Sequence, residues 1–213
     1  MAKIKICKNG PYITSGSIPV NQQKIILDEN NIPLKTEITK NLCSDAETTL
    51  CRCGGSENKP FCDGSHRHNS FDGTEKLKNL KNDPSDTEIF EGPNLTLKDT
   101  PHLCSSAGFC HHDGGVWNLT RNSDNPKSKK TAIEECHYCP SGRLVAIDPI
   151  TGKDLEPKTS PTIGVDEFGP LCVQGEIPLE SVDGQTYPSQ NKRSLCRCGK
   201  SRNKPFCDGS HLS

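Results

Sequence analysis

Residues 51–66 read Cys51-Arg-Cys-Gly-Gly-Ser-Glu-Asn-Lys-Pro-Phe-Cys-Asp-Gly-Ser-His66, and residues 196–211 repeat this run almost letter for letter. Each copy has the spacing C-x-C-x8-C-x3-H, which gathers three thiols and one imidazole within sixteen residues. Cysteine and histidine at short fixed spacings are the usual ligands of zinc and iron–sulfur sites. The repeat therefore predicts two metal centres of the same kind.

The composition is that of a chain with a thin hydrophobic core. Only 31% of its 213 residues are hydrophobic and 5% are aromatic, whereas apolar residues usually make up about 45–50% of a globular domain. Its 18 glycines and 16 prolines indicate many turns and loops. Metal binding can stabilise such a fold directly, because ligand binding is coupled to folding.

Charge and hydropathy exclude several classes of partner. The net charge is −1 with no basic block, which gives nucleic acid no electrostatic attraction. No segment approaches the run of about 20 apolar residues that spans a membrane. The first residues read as a strand rather than a signal peptide, so we expect a cytoplasmic protein whose thiols stay reduced. The clustered members of the 13 cysteines are then expected to act as ligands rather than form disulfides, while Cys7, Cys43 and Cys172 lie outside any ligand spacing and are expected to be buried apolar residues.

The repeat extends beyond the cysteine motifs. Gly10, Pro11, Gly16, Ile18 and Pro19 recur with the same internal spacing as Gly169, Pro170, Gly175, Ile177 and Pro178. The pattern predicts short strands and Gly/Pro turns followed by a metal-holding loop that opens a helix, with a longer insertion in the first copy at residues 21–48. We predict a β-rich α+β fold. Its first half covers residues 1–71, an unrelated module covers 72–165, and the second half covers 166–213.

The motif spacing has a simple geometric interpretation. In an extended C-x-C pair both thiols point to one face, so Cys51 and Cys53 can share one metal ion. Cys62 and His66 lie four residues apart, which stacks them on a helical turn. Asp63 is a good N-cap residue, and the following amides would then point at the bound group. Structural zinc sites usually pair cysteines as C-x2–4-C, so C-x-C favours a two-iron cluster, with zinc as the alternative.

The letters Cys-Asp-Gly-Ser-His at residues 62–66 and 207–211 resemble the signature of the CDGSH iron–sulfur domain family (mitoNEET-like). The resemblance implies one 2Fe–2S cluster per motif, with the C-x-C pair on the inner iron and the cysteine–histidine pair on the outer one. Single-motif members form swapped homodimers, which implies that this chain is a monomeric pseudo-dimer. The implied ligands are Cys51, Cys53, Cys62 and His66 in the first motif, and Cys196, Cys198, Cys207 and His211 in the second.

The inserted module carries its own cysteines. Cys104, Ala107 and Cys110 form a C-x2-A-x2-C run, and Cys139-Pro140 follows. With Trp117, this run resembles a divergent single-cluster ferredoxin domain, which implies a ferredoxin-like α+β insert. Alanine in the middle of the run favours three thiolates and a 3Fe–4S cluster, with 4Fe–4S as the alternative. The possible fourth ligands are Cys136, His111 and His112. A degenerate module without metal, or a zinc site, remains open at this point.

These sites predict an electron-transfer protein rather than an enzyme. The sequence contains no G-x-G-x-x-G or G-x4-G-K-[ST] loop and no catalytic constellation. The expected partners are redox proteins, or apo-acceptors if the protein transfers its clusters or senses redox state or iron. A zinc-stapled interaction module is the third hypothesis.

Overall fold

A computed structural model describes residues 1–76 and 86–213 of the chain. This part contains twelve strands and two α-helices, which confirms the β-rich α+β expectation. The strands of the first half are β1 (Lys3–Ile6), β2 (Tyr12–Ser15), β3 (Val20–Leu27), β4 (Pro33–Cys43) and β5 (Glu47–Leu50). Those of the insert are β6 (Glu88–Glu91), β7 (Thr96–Asp99) and β8 (Leu144–Ile147), accompanied by α1 (Val116–Arg121) and α2 (Pro126–Tyr138). The second half contributes β9 (Thr162–Val165), β10 (Leu171–Gln174), β11 (Leu179–Glu180) and β12 (Lys192–Leu195).

The two halves exchange strands to build two shared sheets. One sheet has the order β11-β1-β2-β5 and the other has the order β12-β10-β9-β3-β4. In each sheet, one strand from the opposite half pairs in parallel with the first strand of the resident half. Each sheet thus contains strands from both halves, so the two motifs belong to one folded unit with an internal pseudo-twofold axis.

The recurring Ile-Pro pairs mark the points at which the strands cross over. The amide of Ile4 donates to the carbonyl of Pro178 at 2.8 Å, and the amide of Ile163 donates to the carbonyl of Pro19 at 2.9 Å. These bonds are counterparts under the pseudo-twofold axis. Proline supplies only its carbonyl to such a ladder, so it suits the edge where a strand begins.

The shared core lies between the two sheets and draws apolar side chains from both halves. The buried members include Ile4, Tyr12, Ile18, Val20, Leu50, Ile163, Leu171, Ile177, Leu179, Leu195 and Phe206. The Tyr12 hydroxyl donates to the carbonyl of Cys196 at 2.9 Å and is also 3.1 Å from that of Pro205. A buried tyrosine needs such a partner, and here it fastens the first half to the second metal loop.

The insertion expected at residues 21–48 is a long hairpin of β3 and β4 that extends one sheet. The segment from Gly73 to Glu75 packs on the shared unit. The Gly73 carbonyl accepts from Arg52, and the Glu75 carboxylate accepts from the Tyr187 hydroxyl. Strand β9 also pairs with β10. The shared unit therefore includes residues 73–75 and 162–165. The sequence had placed both segments in the insert at residues 72–165.

The insert has a separate core between its antiparallel sheet, ordered β6-β7-β8, and helices α1 and α2. Asn125 is the N-cap of helix α2, and its side chain accepts from the amide of Lys127 at 2.9 Å. Pro126 occupies the first turn of the helix. The part of the insert at residues 77–85 lies outside the described residues. Leu103 leaves the insert and joins the shared core, which anchors the module to the second half.

Candidate metal centres

Each metal loop folds back on the strand that precedes it. In the first motif the amide of Cys51 donates to the carbonyl of Pro60, and the amide of Cys62 donates to that of Thr49. The second motif makes the equivalent bonds from Cys196 to Pro205 and from Cys207 to Ser194. These four bonds are 2.8–2.9 Å long. They bring the distant third cysteine of each motif next to the C-x-C pair.

The four expected ligands of each motif are arranged as two close pairs. The sulfurs of Cys51 and Cys53 are 3.9 Å apart, and Cys62 Sγ lies 3.5 Å from His66 Nδ1. The corresponding distances in the second motif are 3.7 Å between the sulfurs of Cys196 and Cys198 and 3.3 Å from Cys207 Sγ to His211 Nδ1. Tetrahedral coordination with metal–sulfur bonds of about 2.3 Å separates two ligand sulfurs by about 3.8 Å. Each pair therefore fits one metal ion.

The residues fit a two-iron cluster better than a single ion. A 2Fe–2S cluster needs two protein ligands on each iron, because bridging sulfides supply the other two positions. A zinc ion would need all four side chains around one point. The pairing of ligands thus matches the chemistry of the two-iron group.

The helix expected after each signature is a single 3-10 turn, Ser65–Arg67 in the first motif. The Asp63 carboxylate accepts from the Ser65 amide at 3.0 Å and from the Glu57 amide at 2.8 Å. These hydrogen bonds and one from the Ser65 hydroxyl hold the pKa of Asp63 well below its usual range. The expectation that the Ser65 amide points at the bound group is wrong, because this amide donates to the Asp63 carboxylate instead.

Other backbone amides are directed at the sulfurs. The amide of Gly55 lies 3.4 Å from Cys53 Sγ, and the amide of Gly209 lies 3.5 Å from Cys207 Sγ. Amide hydrogen bonds to thiolate sulfur stabilise the negative charge of a ligated cluster and help set its potential.

Sequence analysis missed the role of the arginine between the two cysteines of each C-x-C pair. This side chain is buried in both motifs, as Arg52 and as Arg197. The Arg52 guanidinium donates to the carbonyls of Cys7 and Gly73, and that of Arg197 donates to the carbonyl of Gly169 at 2.7 Å. The sequence did contain a signal for this role, because both motifs have arginine between the two cysteines of the C-x-C pair. Each arginine fixes the Gly-Pro loop behind its metal site.

The two C-x-C segments meet at the pseudo-twofold axis. Cys53 and Cys198 form an antiparallel backbone bridge. The inner pair of one motif is therefore directly adjacent to the inner pair of the other.

The three cysteines expected to hold the middle cluster come together. Cys104, Cys110 and Cys139 line a small cavity of about 20 Å³, and Ala107 lines the same cavity. Burial raises the pKa of Cys110 to about 11, and the neighbouring Cys139 adds to this shift. Three thiols around one cavity match the donor set expected for a polynuclear iron–sulfur cluster.

The candidate fourth ligands lie elsewhere. Cys136 is fully buried in the core of the insert and does not line the cavity. His112 Nε2 lies 3.2 Å from the Asp28 carboxylate, and His111 packs against the ring of Trp117. The structure therefore brings none of these three residues to the cavity beside the cysteines.

Beside the cavity is a charged network that sequence analysis missed. The Arg143 guanidinium lines the cavity, donates to the buried Asp99 carboxylate at 2.6 and 2.9 Å, and stacks over Trp117. Trp117 Nε1 donates to the same carboxylate at 3.0 Å. Hydrogen bonds to Asp99 and Cys104 raise the pKa of Arg143 above its usual value. A fixed positive charge thus lies next to the Cys104 thiol.

The middle site adjoins the second motif. Ser106 lies against Gly209 of the second signature, and the hydroxyl of Ser194 donates to that of Ser105 at 3.4 Å.

Across the parts of the chain that the structure describes, no helix has the length and apolar character needed to cross a bilayer.

Comparisons with known proteins agree with this arrangement. The family described as iron-binding zinc finger CDGSH type matches residues 9–67 and 168–212, and the family described as divergent 4Fe-4S mono-cluster matches residues 90–149. A relative from Mus musculus, CDGSH iron-sulfur domain-containing protein 3, mitochondrial, is 53% identical over 36 residues. The match covers 17% of this chain and 22% of the mouse protein. No solved structure matches significantly. The chain therefore carries two segments that are similar to the CDGSH iron–sulfur domain family, and these flank an insert that is similar to a divergent iron–sulfur domain.

Proposed function

We propose that this protein is an electron carrier with three iron–sulfur clusters. Each CDGSH motif holds one 2Fe–2S cluster, and the insert holds one 3Fe–4S cluster. The ligands of the first site are Cys51, Cys53, Cys62 and His66. Those of the second are Cys196, Cys198, Cys207 and His211, and those of the middle site are Cys104, Cys110 and Cys139.

The contiguity of the three sites carries this proposal. The backbone bridge between Cys53 and Cys198 joins the two CDGSH sites. The contact between Ser106 and Gly209 joins the second site to the middle one. Metal sites with a purely structural role need not lie next to one another, whereas a protein that carries electrons between partners gains from adjacent sites.

Histidine ligation sets the chemistry of the outer pairs. A neutral imidazole leaves a 2Fe–2S cluster one negative charge less than a thiolate does, which favours the reduced state and raises the potential. His66 and His211 are both partly exposed. Solvent and competing ligands can therefore reach either ring.

The donor set of the insert supports three irons rather than four. Ala107 lines the cavity where a fourth thiolate would be needed, and Cys136 is packed in the core. The alternative is a 4Fe–4S cluster, which would need a non-cysteine ligand such as water at its fourth iron.

Cluster transfer to an apo-acceptor is the second candidate function. Cys62 and His66 of the first site are both partly exposed, so a competing thiolate could approach the outer pair. A zinc-stapled interaction module finds less support, because the ligands form pairs around two positions instead of four donors around one.

Anaerobic purification followed by iron and sulfide analysis and EPR tests the proposal. We expect about seven irons and eight sulfides per chain, with an EPR signal in the oxidised protein from the 3Fe–4S cluster, since oxidised 2Fe–2S clusters are silent. About eight irons and a silent oxidised sample would replace the middle assignment with 4Fe–4S. A colourless protein containing zinc would refute the electron-carrier proposal.

A further inference from the structure

Residues 58–66 and 203–211 are identical, both reading Asn-Lys-Pro-Phe-Cys-Asp-Gly-Ser-His. The chain thus presents the same signature surface twice. The two copies differ in what surrounds them, which makes one copy an internal control for the other.

The glycine of each signature shows the difference most directly. Gly64 has a φ of +92° and a Cβ added to it would meet nothing within 4 Å. Gly209 has nearly the same φ, +85°, but an added Cβ would lie 2.5 Å from the hydroxyl of Ser106. The insert therefore covers the second signature turn and leaves the first one open.

We call residues 101–107 of the insert the cover loop. The side-chain amide of Asn203 donates to the carbonyl of His102 at 2.8 Å, and Leu103 is embedded in the shared core. Ser105 is buried and accepts from Ser194 on β12. Asn58, the counterpart of Asn203, is exposed. The cover loop is thus fixed to the second motif, to β12 beside it and to the shared core.

The burial of the equivalent side chains follows this contact. Cys207 is only 2% exposed, whereas Cys62 is partly exposed. The histidines do not differ in this way, because His66 and His211 are both partly exposed. The cover loop therefore acts on the thiol of the outer pair.

We infer that the cover loop makes the two CDGSH sites unequal. At the first site, competing thiolates and chelators can displace Cys62 from the outer position. At the second site, the cover loop protects Cys207 from this exchange. An apo-acceptor or a thiol reagent reaches Cys62 directly, but it reaches Cys207 only when the cover loop lifts. This inference deepens the proposed function, since it assigns exchange with partners to the first site.

Thiol labelling tests the inference. The iron-loaded protein is treated with excess EDTA and N-ethylmaleimide, while the visible absorbance is followed and the labelled cysteines are identified by tandem mass spectrometry. Because local opening must precede attack on a covered group, we expect absorbance to fall in two phases that differ in rate by about tenfold. Cys62 should be labelled in the first phase and Cys207 in the second.

A matched pair of variants attributes the protection to the cover loop. Asn203→Ala removes one hydrogen bond of about 1 kcal/mol from the cover loop and should speed labelling of Cys207 about fivefold. Asn58→Ala, at the exposed equivalent position, should leave the labelling of Cys62 unchanged.

Labelling of Cys62 and Cys207 at equal rates in the folded wild-type protein, or of Cys207 first, would overturn the inference. So would an Asn203→Ala variant whose Cys207 is labelled no faster than in the wild type. Iron analysis of the starting sample is a separate result: a chain without iron refutes the proposed function, while the order of labelling in the folded chain still decides whether the cover loop protects Cys207.

Discussion

Gly54 lies so close to Cys198 that a Cβ added to the glycine would stand 2.4 Å from the carbonyl oxygen of that cysteine. The reverse contact is nearly the same, since a Cβ on Gly199 would stand 2.6 Å from the carbonyl oxygen of Cys53. Both glycines have a φ near +78°. Two separate constraints, the left-handed backbone and the close approach of a second backbone, thus require glycine on each side of the pseudo-twofold axis.

We therefore expect Gly54→Ala to weaken the junction between the two halves. The methyl group would meet backbone, which cannot rotate away, so the free energy of unfolding should fall by about 3 kcal/mol. Gly64→Ala is the matched control. Gly64 also has positive φ but faces open space, so its substitution should cost only the backbone penalty of about 1 kcal/mol. Urea denaturation of both variants measures the difference, and equal losses would contradict a close contact at Gly54.

The repeat and the family resemblance were sufficient to predict a swapped pseudo-dimer, but they did not show which strands pair across it. The recurrence of Gly10-Pro11 as Gly169-Pro170 indicated two copies of one unit. Which half completes each sheet depends on long-range pairing such as Ile4 with Leu179, and nothing local in a strand of a few residues encodes its partner. Short apolar runs fit either sheet, so tertiary packing makes the choice.

Local rules also failed at the metal loops. Asp63 has the sequence context of an N-cap, yet the N-cap of the three-residue turn is Gly64, and the Asp63 carboxylate instead accepts from the amides of Ser65 and, across the loop, Glu57. The network of Asp99, Arg143 and Trp117 could not be predicted either. These residues are far apart in sequence, and only the packing of β7, α1 and β8 brings them together.

Replacing His66 with cysteine should alter the first cluster in two ways. The extra thiolate adds negative charge, so the midpoint potential should fall by on the order of 100 mV. Since a thiolate binds iron more firmly than a neutral imidazole does, spontaneous loss of the cluster absorbance should also slow. Redox titration and absorbance decay measure these effects. The control is His68→Ala, which changes an exposed histidine two residues further along the chain and should alter neither property. An unchanged rate of cluster loss in His66→Cys would show that the histidine ligand does not control lability.

Arg143→Gln should destabilise the insert and change its cluster. The substitution leaves the Asp99 carboxylate, which is 2% exposed, without its charged partner, and we expect a loss of about 2–3 kcal/mol in the free energy of unfolding. Loss of the positive charge beside Cys104 should also lower the midpoint potential of the middle cluster.

Lys130→Gln provides the comparison for Arg143→Gln. Lys130 pairs with Glu134 on the exposed face of α2, so its loss should cost less than about 0.5 kcal/mol. Thermal unfolding and a redox titration followed by EPR separate the two variants. If the middle-site potential of Arg143→Gln equals that of the wild type, Arg143 has only a structural role.

Substitutions of single cysteines should separate ligands from bystanders. Cys104→Ser should remove the EPR signal of the oxidised protein and about three irons per chain, because Cys104 is one of the three thiolates that we propose as ligands of the middle site. Cys43→Ser should retain both, since the Cys43 sulfur contacts Asp45 and Thr48 rather than any other cysteine.

Cys136→Ala decides how many thiolates hold the middle cluster. Its side chain fills the core of the insert, so removing the sulfur should cost about 1–2 kcal/mol of stability, while the iron content and the EPR signal should remain. A Cys136→Ala variant that stays folded but loses the middle-site iron would instead make Cys136 the fourth ligand. The cluster would then have four irons, and the packing of Cys136 in the core would have to change when it binds.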